Sequence, residues 1–366
     1  MSMPDHGVDN ISPLTFSFEG KESYSLGERV KLRYRVTNHS NSQYFVLKWF
    51  TPLEGILGDI LKITYKRRRI PYDGILIKRG QPSIDDYVLL KAGEVREGSI
   101  DVSASYSLSK AGVYHVTFAG VIWDLTKDLP DQVGKRSPEE FTRFQTPKSK
   151  IVLTVKGRGK SVDTEGQVQR KKEKRDPRNL RSGHANEPQI KGGSEGDKAA
   201  TKAAHNDAYH YADQGRINVQ QEGGKNPQTI TWFGAYQSKR HKRLHGVYND
   251  VAETLKNEKI TYDFNGSSCQ ASWYAYTYKD TRTIYLCNMY IAAPFCGIDS
   301  KTGILIHELT HAVSGTSDHA YGLSGAKQLA INGPDKAVEN ADNYEYYIEN
   351  LPIWLETVLF VMQKTT

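Results

Sequence analysis

The sequence predicts a chain of the α+β class with an antiparallel, immunoglobulin-like β-sandwich, a flexible basic linker and a mainly helical C-terminal domain with a small sheet. Three observations predict this organisation. Residues 1–155 contain short runs of β-branched and aromatic residues separated by Gly, Pro, Asn and Asp. Residues 156–225 are rich in charged and polar residues and poor in aromatic ones. Residues 226–366 show helical periodicity, and one helix there carries two histidines four residues apart.

The N-terminal region is predicted to form short antiparallel strands. Lys31–Val36 alternates polar and apolar residues, as a half-buried strand does. Other runs of similar composition are Tyr44–Trp49, Ile60–Tyr65, Tyr87–Leu90, Val113–Phe118 and Ile151–Val155. No residue pattern in this region indicates a catalytic site. The basic cluster Lys66–Arg69 favours a solvated hairpin tip over a binding patch.

The linker is predicted from its charge and its lack of apolar residues. The chain has a net charge of +7, and residues 156–198 hold 12 basic against 7 acidic side chains. A segment of this kind cannot bury a core, so we expect it to be flexible. Basic residues without interleaved aromatics attract phosphates only non-specifically, so we expect no specific nucleic-acid partner. The same lysines and arginines are candidate processing sites.

The C-terminal region is predicted to combine three helices with short strands. Trp232–Asn257 has apolar residues at spacings of three and four, and Thr302–Val313 and Lys336–Asn350 are the other predicted helices. The predicted strands are Ile260–Phe264, Ser272–Tyr278 and Thr283–Leu286. No apolar run reaches the roughly 18 residues of a membrane span, so we expect none.

The chemistry is concentrated in the second of these helices. His307 and His311 are four residues apart, so a helix places both imidazoles on one face where a single Zn²⁺ reaches them. Glu308 follows the first histidine and is the residue that takes a proton from the metal's water in this motif. Ile304–Ile306 makes the preceding turn apolar, which favours a buried helix over a surface helix with exposed histidines.

A catalytic zinc site needs a third protein ligand and one open position. Gly315 can end the helix in the left-handed conformation, and Asp318 can then fold back to the metal. The alternative is a glutamate from the following helix, namely Glu339, Glu345 or Glu349.

The motif His307-Glu308-x-x-His311, followed by Gly315-Thr316-x-Asp318-x-x-Tyr321-Gly322, resembles the signature of the aspzincins, the deuterolysin and peptidyl-Lys metalloendopeptidase family. The resemblance covers residues 226–366. It includes the stretches Thr283–Cys287, Ala293-Pro294, Gly297–Ile306 and Glu339–Tyr346. The N-terminal region resembles the pro-region of such enzymes at Pro52–Gly55, Tyr72-x-Gly74 and Leu108–Tyr114.

The resemblance implies a zincin-type protease domain that holds one Zn²⁺ per chain. Its ligands would be His307, His311 and Asp318, and Glu308 would be the general base. Tyr321 would donate its phenol to the developing oxyanion, for which core packing is the alternative role. Gly315 would form the turn, and Thr316 would hydrogen-bond the turn or a ligand.

The resemblance also implies a substrate preference. Asp342 and Glu345 are three residues apart and share a helix face. They match acidic residues of the peptidyl-lysine branch of the family, which line the pocket for the substrate residue just after the cleaved bond. We therefore expect cleavage on the amino side of Lys, or of Arg, in protein or peptide substrates. The alternative is a solvated helix face, or ion pairs with Lys336.

The remaining expectations concern processing and location. The resemblance pairs Cys269 with Cys287 in a disulfide and leaves Cys296 over, while Ser267 stands where a family cysteine is expected. It also implies secretion. The N-terminal β domain and the basic linker suggest a zymogen, which we expect to be a monomer, whose β-rich pro-domain inhibits the protease or assists its folding. Cleavage in the linker would release about residues 205–366. No apolar signal-peptide core is visible in residues 1–9, which leaves another export route or an internal location open. The competing function is a binding or toxin-delivery protein with a structural zinc.

Overall fold

A computed structural model describes residues 10–118, 120–128, 141–157 and 185–351. The chain divides into two compact units, Met1–Glu173 and Lys174–Thr366. Among the described residues, no helix is long and apolar enough to cross a membrane. The predicted fold class is confirmed, with antiparallel sheets in the first unit and helices around a small sheet in the second.

The first unit is built from strands and short 3₁₀ turns. Its strands are β1 (Leu14–Glu19), β2 (Ser23–Ser25), β3 (Lys31–Asn38), β4 (Tyr44–Leu47), β5 (Leu61–Tyr65), β6 (Arg68–Ile70), β7 (Leu76–Arg79), β8 (Tyr87–Leu90), β9 (Val95–Asp101), β10 (Gly112–Phe118), β11 (Val121–Ile122), β12 (Leu125–Thr126), β13 (Phe144–Gln145) and β14 (Ser149–Lys156). The 3₁₀ turns are Pro52–Glu54, Ile84–Asp86 and Val102–Ala104.

Most strand pairs of the first unit are antiparallel. The sheets have the orders β1-β3-β9, β2-β14-β10-β5-β6, β12-β4-β8 and β11-β13, and β2 pairs with β14 in parallel. In β3, Leu32, Tyr34 and Val36 are buried while the residues between them are exposed, as the alternation predicts. The immunoglobulin-like topology stays a prediction. Lys66 and Arg67 form the turn between β5 and β6, which agrees with the predicted hairpin tip.

The second unit places helices around a small mixed sheet. Its helices are α1 (Glu195–Asn218), α2 (Pro227–Phe233), α3 (Ser238–Asn257), α4 (Asn288–Ala292), α5 (Lys301–Ser314), α6 (Leu323–Asn332), α7 (Pro334–Ala337) and α8 (Ala341–Glu349), with a 3₁₀ turn at Gln221–Gly224. Its strands are β15 (Gln189–Lys191), β16 (Thr261–Asp263), β17 (Trp273–Thr277) and β18 (Thr283–Leu286). Within the unit, β15, β16 and β18 are parallel neighbours and β17 is antiparallel to β18.

The predicted linker is wrong over about its last half, because β15 and α1 lie within it. A capping box between Ser194 and Asp197 starts α1. Ala204, Ala208 and Ala212 then follow one another at spacings of four, and all three are buried in the core of the second unit. These small side chains let α1 approach α3 and α5 closely, but they give the segment little apolar character in the sequence. The rest of the predicted linker, residues 158–184, lies outside the described residues.

Two other predicted helices are each divided in the structure. The first becomes α2 and α3, because Gly234 ends α2 with a φ of 77°. The third becomes α7 and α8, which are separated at residues 338–340. The helix of the histidine pair is α5, which packs against α1, α3 and α8 and is buried along nearly its whole length. This central position removes the histidines from solvent.

Candidate metal centre

Three donor atoms converge at the C-terminal half of α5. The Nε2 atoms of His307 and His311 are 3.1 Å apart. Oδ1 of Asp318 lies 3.3 Å from Nε2 of His307 and 3.2 Å from Nε2 of His311. Donors that each bind Zn²⁺ tetrahedrally at about 2.0–2.2 Å are themselves separated by about 3.3–3.6 Å. The three residues therefore fit a zinc ion closely, with two neutral nitrogens and one carboxylate.

The turn after α5 brings the aspartate to the histidines. Gly315 caps the helix in the left-handed conformation, with φ of 67°, and its N–H donates to the carbonyl of His311. This conformation is strained for residues with a Cβ, so glycine suits the position. The chain then reverses and Asp318 points back at the helix end, which agrees with the turn predicted from the sequence.

The outer nitrogen of His311, which is Nδ1 and points away from the three donor atoms, is held by the same turn. Nδ1 of His311 lies 3.1 Å from the carbonyl oxygen of Thr316 and 3.0 Å from its Oγ1. The Thr316 hydroxyl also meets that of Thr310 at 2.8 Å. Donation from Nδ1–H to these oxygens leaves Nε2 as a lone-pair donor, which is the tautomer that a metal requires.

The outer nitrogen of His307 faces α8. Its Nδ1 lies 2.8 Å from Oδ1 of Asp342 and 3.3 Å from Oε2 of Glu345. The other oxygen of Asp342 accepts the N–H of Gly322 at 2.8 Å. Asp342 and Glu345 are both fully buried. Their burial and their contacts with His307 show that the alternatives of a solvated helix face and of ion pairs with Lys336 were wrong.

The other two glutamates that were considered as ligands are engaged elsewhere. Glu339 forms a salt bridge with Arg243, at 2.6 Å. Glu349 accepts hydrogen bonds from Asp299 and Ser300 at the start of α5. The geometry thus favours Asp318 as the third donor.

The cluster combines two imidazoles with the carboxyl groups of Asp318, Asp342 and Glu345. Burial disfavours the charged form of His307, but hydrogen bonds with Asp318, Asp342 and Glu345 outweigh it and raise the pKa of the imidazole well above its usual value. Burial also lowers the pKa of His311. Although burial opposes ionisation of Asp318, the two histidines hold the pKa of its carboxyl well below its usual range. An ionised carboxylate beside two imidazoles favours a bound cation.

The other predicted site residues lie on the same elements. Glu308 is on α5, next to His307, and its side chain is fully buried. Tyr321 is in the turn, three residues after Asp318, and is 2% exposed. Sequence reasoning missed Thr310 and Asn340, which contact the turn through hydrogen bonds. For Thr310, the only signal in the sequence was its position three residues after His307.

The predicted disulfide is present in the structure. Cys269 and Cys287 are bonded and link the segment before β17 to the end of β18. Cys296 is free and exposed. A disulfide of this kind is typical of proteins that fold in an oxidising compartment.

Known proteins are similar to this chain. The aspzincin family model, described as lysine-specific metallo-endopeptidase, matches residues 218–349. The chain is 30% identical over 331 residues to an extracellular protease of Aeromonas hydrophila, with 88% of each chain covered. It is 39% identical over 164 residues to a peptidyl-Lys metalloendopeptidase of Grifola frondosa, covering 44% of this chain and 46% of that one. A solved zinc peptidase from Grifola frondosa is 38% identical, with a TM-score of 0.41, over 44% of this chain and 99% of that chain.

A buried helix with this histidine pair and an aspartate in the next turn defines the class of zinc metalloendopeptidases. The Aeromonas relative matches along nearly the whole of both chains. The chain therefore belongs to the aspzincin family.

Proposed function

We propose that His307, His311 and Asp318 bind one zinc ion per chain and that Glu308 is the general base in peptide-bond hydrolysis. The observation that carries this proposal is the set of three donor atoms, 3.1–3.3 Å apart, at the end of a buried helix. A bound zinc ion supplies Lewis-acid chemistry, since it lowers the pKa of a coordinated water to about 7 and polarises a carbonyl.

The protein groups supply the proton transfers and the orientation. Glu308 follows His307 on the same buried helix, so its carboxylate takes the proton of the attacking water in a site of low dielectric. It then delivers that proton to the leaving amine. Tyr321 lies in the turn that carries Asp318, and its phenol donates a hydrogen bond to the developing oxyanion. Thr316 and Asp342 hold the outer nitrogens of the two histidines.

The preference for lysine after the cut follows from the charge around the site. Asp342 and Glu345 lie within hydrogen-bonding distance of the histidine that also faces Asp318. A substrate ammonium that enters beside the metal is attracted by these carboxylates across the His307 ring, whereas an acidic side chain is repelled. The relatives named peptidyl-Lys metalloendopeptidase, at 39% and 40% identity, support the same preference. Protein and peptide substrates rich in lysine are thus favoured.

We further propose that the chain is a secreted precursor, with an N-terminal pro-domain of about residues 1–155, and is cut to release a monomeric protease. The Aeromonas relative is named an extracellular protease, and the disulfide fits an oxidising compartment. The place of α1 in the protease core argues against a cut near residue 205. The protease domain therefore begins ahead of β15, at about residue 185.

The proposed function is tested with full-length wild type, Glu308→Gln and the matched surface variant Glu195→Gln, whose carboxylate is 90% exposed. We expect each protein to bind one zinc ion per chain. Peptide cleavage by Glu308→Gln should fall by about 10²–10⁴-fold, the usual contribution of a general base, while Glu195→Gln stays at the wild-type rate. Wild-type activity that survives zinc removal would contradict the proposal and favour a structural metal.

A further inference from the structure

Asn340 occupies the break between α7 and α8 and is fully buried. It is not one of the three donors, and among the described residues its side chain forms no hydrogen bond with His307 or His311. Its amide instead contacts the turn that carries Asp318. A buried amide must find partners for two donors and two acceptor positions, so its contacts show what it holds in place.

The oxygen of the Asn340 amide binds the two residues that follow the aspartate. Oδ1 accepts the backbone N–H of His319 at 2.6 Å and that of Ala320 at 3.1 Å. Nδ2 donates to the carbonyl of Ala320 at 3.2 Å. Three contacts to two consecutive residues fix the direction in which the chain leaves Asp318.

The second Nδ2 hydrogen fixes the amide itself. It donates to Oδ1 of Asn343 at 2.7 Å. The Asn343 amide donates in turn to the carbonyls of Trp232 and Ala326, which belong to α2 and α6. All four hydrogen-bonding positions of Asn340 are thus used, and the chain of amides connects the turn to two helices outside the site.

Backbone bonds on the other side of Asp318 complete the arrangement. The N–H of Ser317 donates to the carbonyl of Glu339 at 2.7 Å, and that of Ala341 donates to the carbonyl of Ser317 at 3.1 Å. The residues on both sides of Asp318 are therefore bound to the 339–341 segment. The backbone around Asp318 is thus held in place, and its carboxylate extends from it to the two histidines.

We propose that Asn340 is a positioning residue that holds the Asp318 carboxylate at the distance a metal ion needs from both histidines. The inference rests on the proposed ligand set. Without the amide, the N–H groups of His319 and Ala320, of which that of Ala320 is buried, lose their acceptor, and the turn must move to find another. Removing an outer group that orients a metal ligand typically costs about 10–100-fold in metal affinity, and we expect that loss here.

The test measures zinc affinity of the full chain by chelator competition, and the geometry of the site by the visible absorption of the cobalt-substituted protein. The variants are Asn340→Ala and Asn340→Ser, whose hydroxyl can keep one acceptor contact. Asn226→Ala is the matched control, because Asn226 is also a buried amide with backbone partners but caps α2. Asp318→Ala tests the ligand set separately. Circular dichroism of the metal-free proteins identifies variants that do not fold.

The expected result is weaker zinc binding by about 10–100-fold and an altered cobalt spectrum in the Asn340 variants, with Asn226→Ala unchanged in both. If Asp318→Ala weakens binding while both Asn340 variants match wild type, the positioning role is wrong and the ligand set stands. If Asp318→Ala itself matches wild type, the ligand set is wrong. Should Asn340→Ala fail to fold, Asn340→Ser decides between the same outcomes.

Discussion

Asp342 bridges His307 and Gly322: one carboxylate oxygen lies 2.8 Å from Nδ1 of the histidine, and the other accepts the glycine N–H at 2.8 Å. The histidine is on the metal helix, and the glycine ends the turn that carries Asp318. One buried side chain of α8 therefore contacts both parts of the site. In the proposed function this carboxylate orients a zinc ligand, and its charge also attracts the substrate lysine.

The substitution Asp342→Asn should affect metal and substrate binding together. An amide has a single acceptor oxygen, so it cannot accept hydrogen bonds on both sides as the carboxylate does. We expect zinc affinity to fall by about 10–100-fold, because the outer partner of His307 is impaired. At saturating zinc, the preference for lysine after the cut should also weaken. A peptide library varied at that position, read alongside chelator competition, measures both effects.

The control for this substitution is Asp335→Asn, which alters a largely exposed carboxylate paired with Arg240. Asp335→Asn should change neither the zinc affinity nor the preference for lysine after the cut. A wild-type enzyme with no preference for Lys or Arg after the cut would contradict the specificity proposal. Loss of the preference at unchanged zinc affinity would mean that Asp342 acts on substrate alone.

Thr316→Val should weaken zinc binding by removing a hydroxyl from Nδ1 of His311. The carbonyl of residue 316 remains as an acceptor, so the loss should lie near the lower end of the range for such outer contacts, about tenfold. Thr231→Val is the matched control, since the Thr231 hydroxyl binds only its own helix and is exposed. Isothermal titration of the metal-free proteins with zinc measures the difference. Equal affinity in Thr316→Val and wild type would show that the carbonyl alone orients the ring.

Processing should leave a protease whose first residue lies at or before Asn186. The N–H of Asn186 donates to the carbonyl of Leu255, its carbonyl binds Nε2 of His205, and β15 then pairs with β16. A cut after Lys191 would remove an edge strand and expose its partner. N-terminal sequencing of the processed product, with Glu308→Gln as the form that cannot process itself, gives the boundary. A stable, active product that begins within α1 would contradict the prediction.

Acid should destabilise the second unit through His205. This imidazole is fully buried between Tyr262 and the carbonyl of Asn186, and burial lowers its pKa. The unfolded chain binds the proton below about pH 6.5 while the folded chain does not, so stability is lost as pH falls. The loss is at most about 1.4 kcal/mol per pH unit.

His205→Gln should remove this contribution, because the amide keeps a donor and an acceptor but does not titrate. Hydrogen exchange between pH 5 and 7.5, corrected for intrinsic rates, measures the free energy of local opening of α1. As the pH falls, this free energy should decrease less steeply in His205→Gln than in wild type. Parallel profiles for the two proteins would show that His205 does not carry the acid sensitivity. Glu187 is the charged group that faces the ring and is unchanged in the comparison.

The parts of the site that follow from spacing along one element were predictable. The four-residue interval of His307 and His311 and the glycine at 315 each correspond to a known backbone geometry, and the structure has them as expected. Contacts between elements were not predictable in this way. Asp342 faces His307 only because α8 packs against α5, and no local pattern in the sequence reports that packing.

The segment from β15 to α1 was missed for a related reason. Its helix buries alanines, whose apolar surface is small, and keeps charged residues on the outside. Such a composition resembles that of a polar linker, although the alanine spacing is helical. Similarly, Asn340 acts through backbone N–H groups, which every residue type carries, so the sequence has no signature for its partners.

The order of the site along the chain has a consequence for synthesis. Every proposed ligand and its supporting side chains lie between His307 and Glu345, near the end of the described residues. Because translation proceeds from the N-terminus, the basic segment between the two units leaves the ribosome long before α8 does. A nascent chain therefore lacks Asp342, which lies beside Nδ1 of His307, while the lysines of the basic segment are already outside the ribosome. In the proposed precursor, late completion of the active site would delay self-cleavage until the whole protease domain has been made.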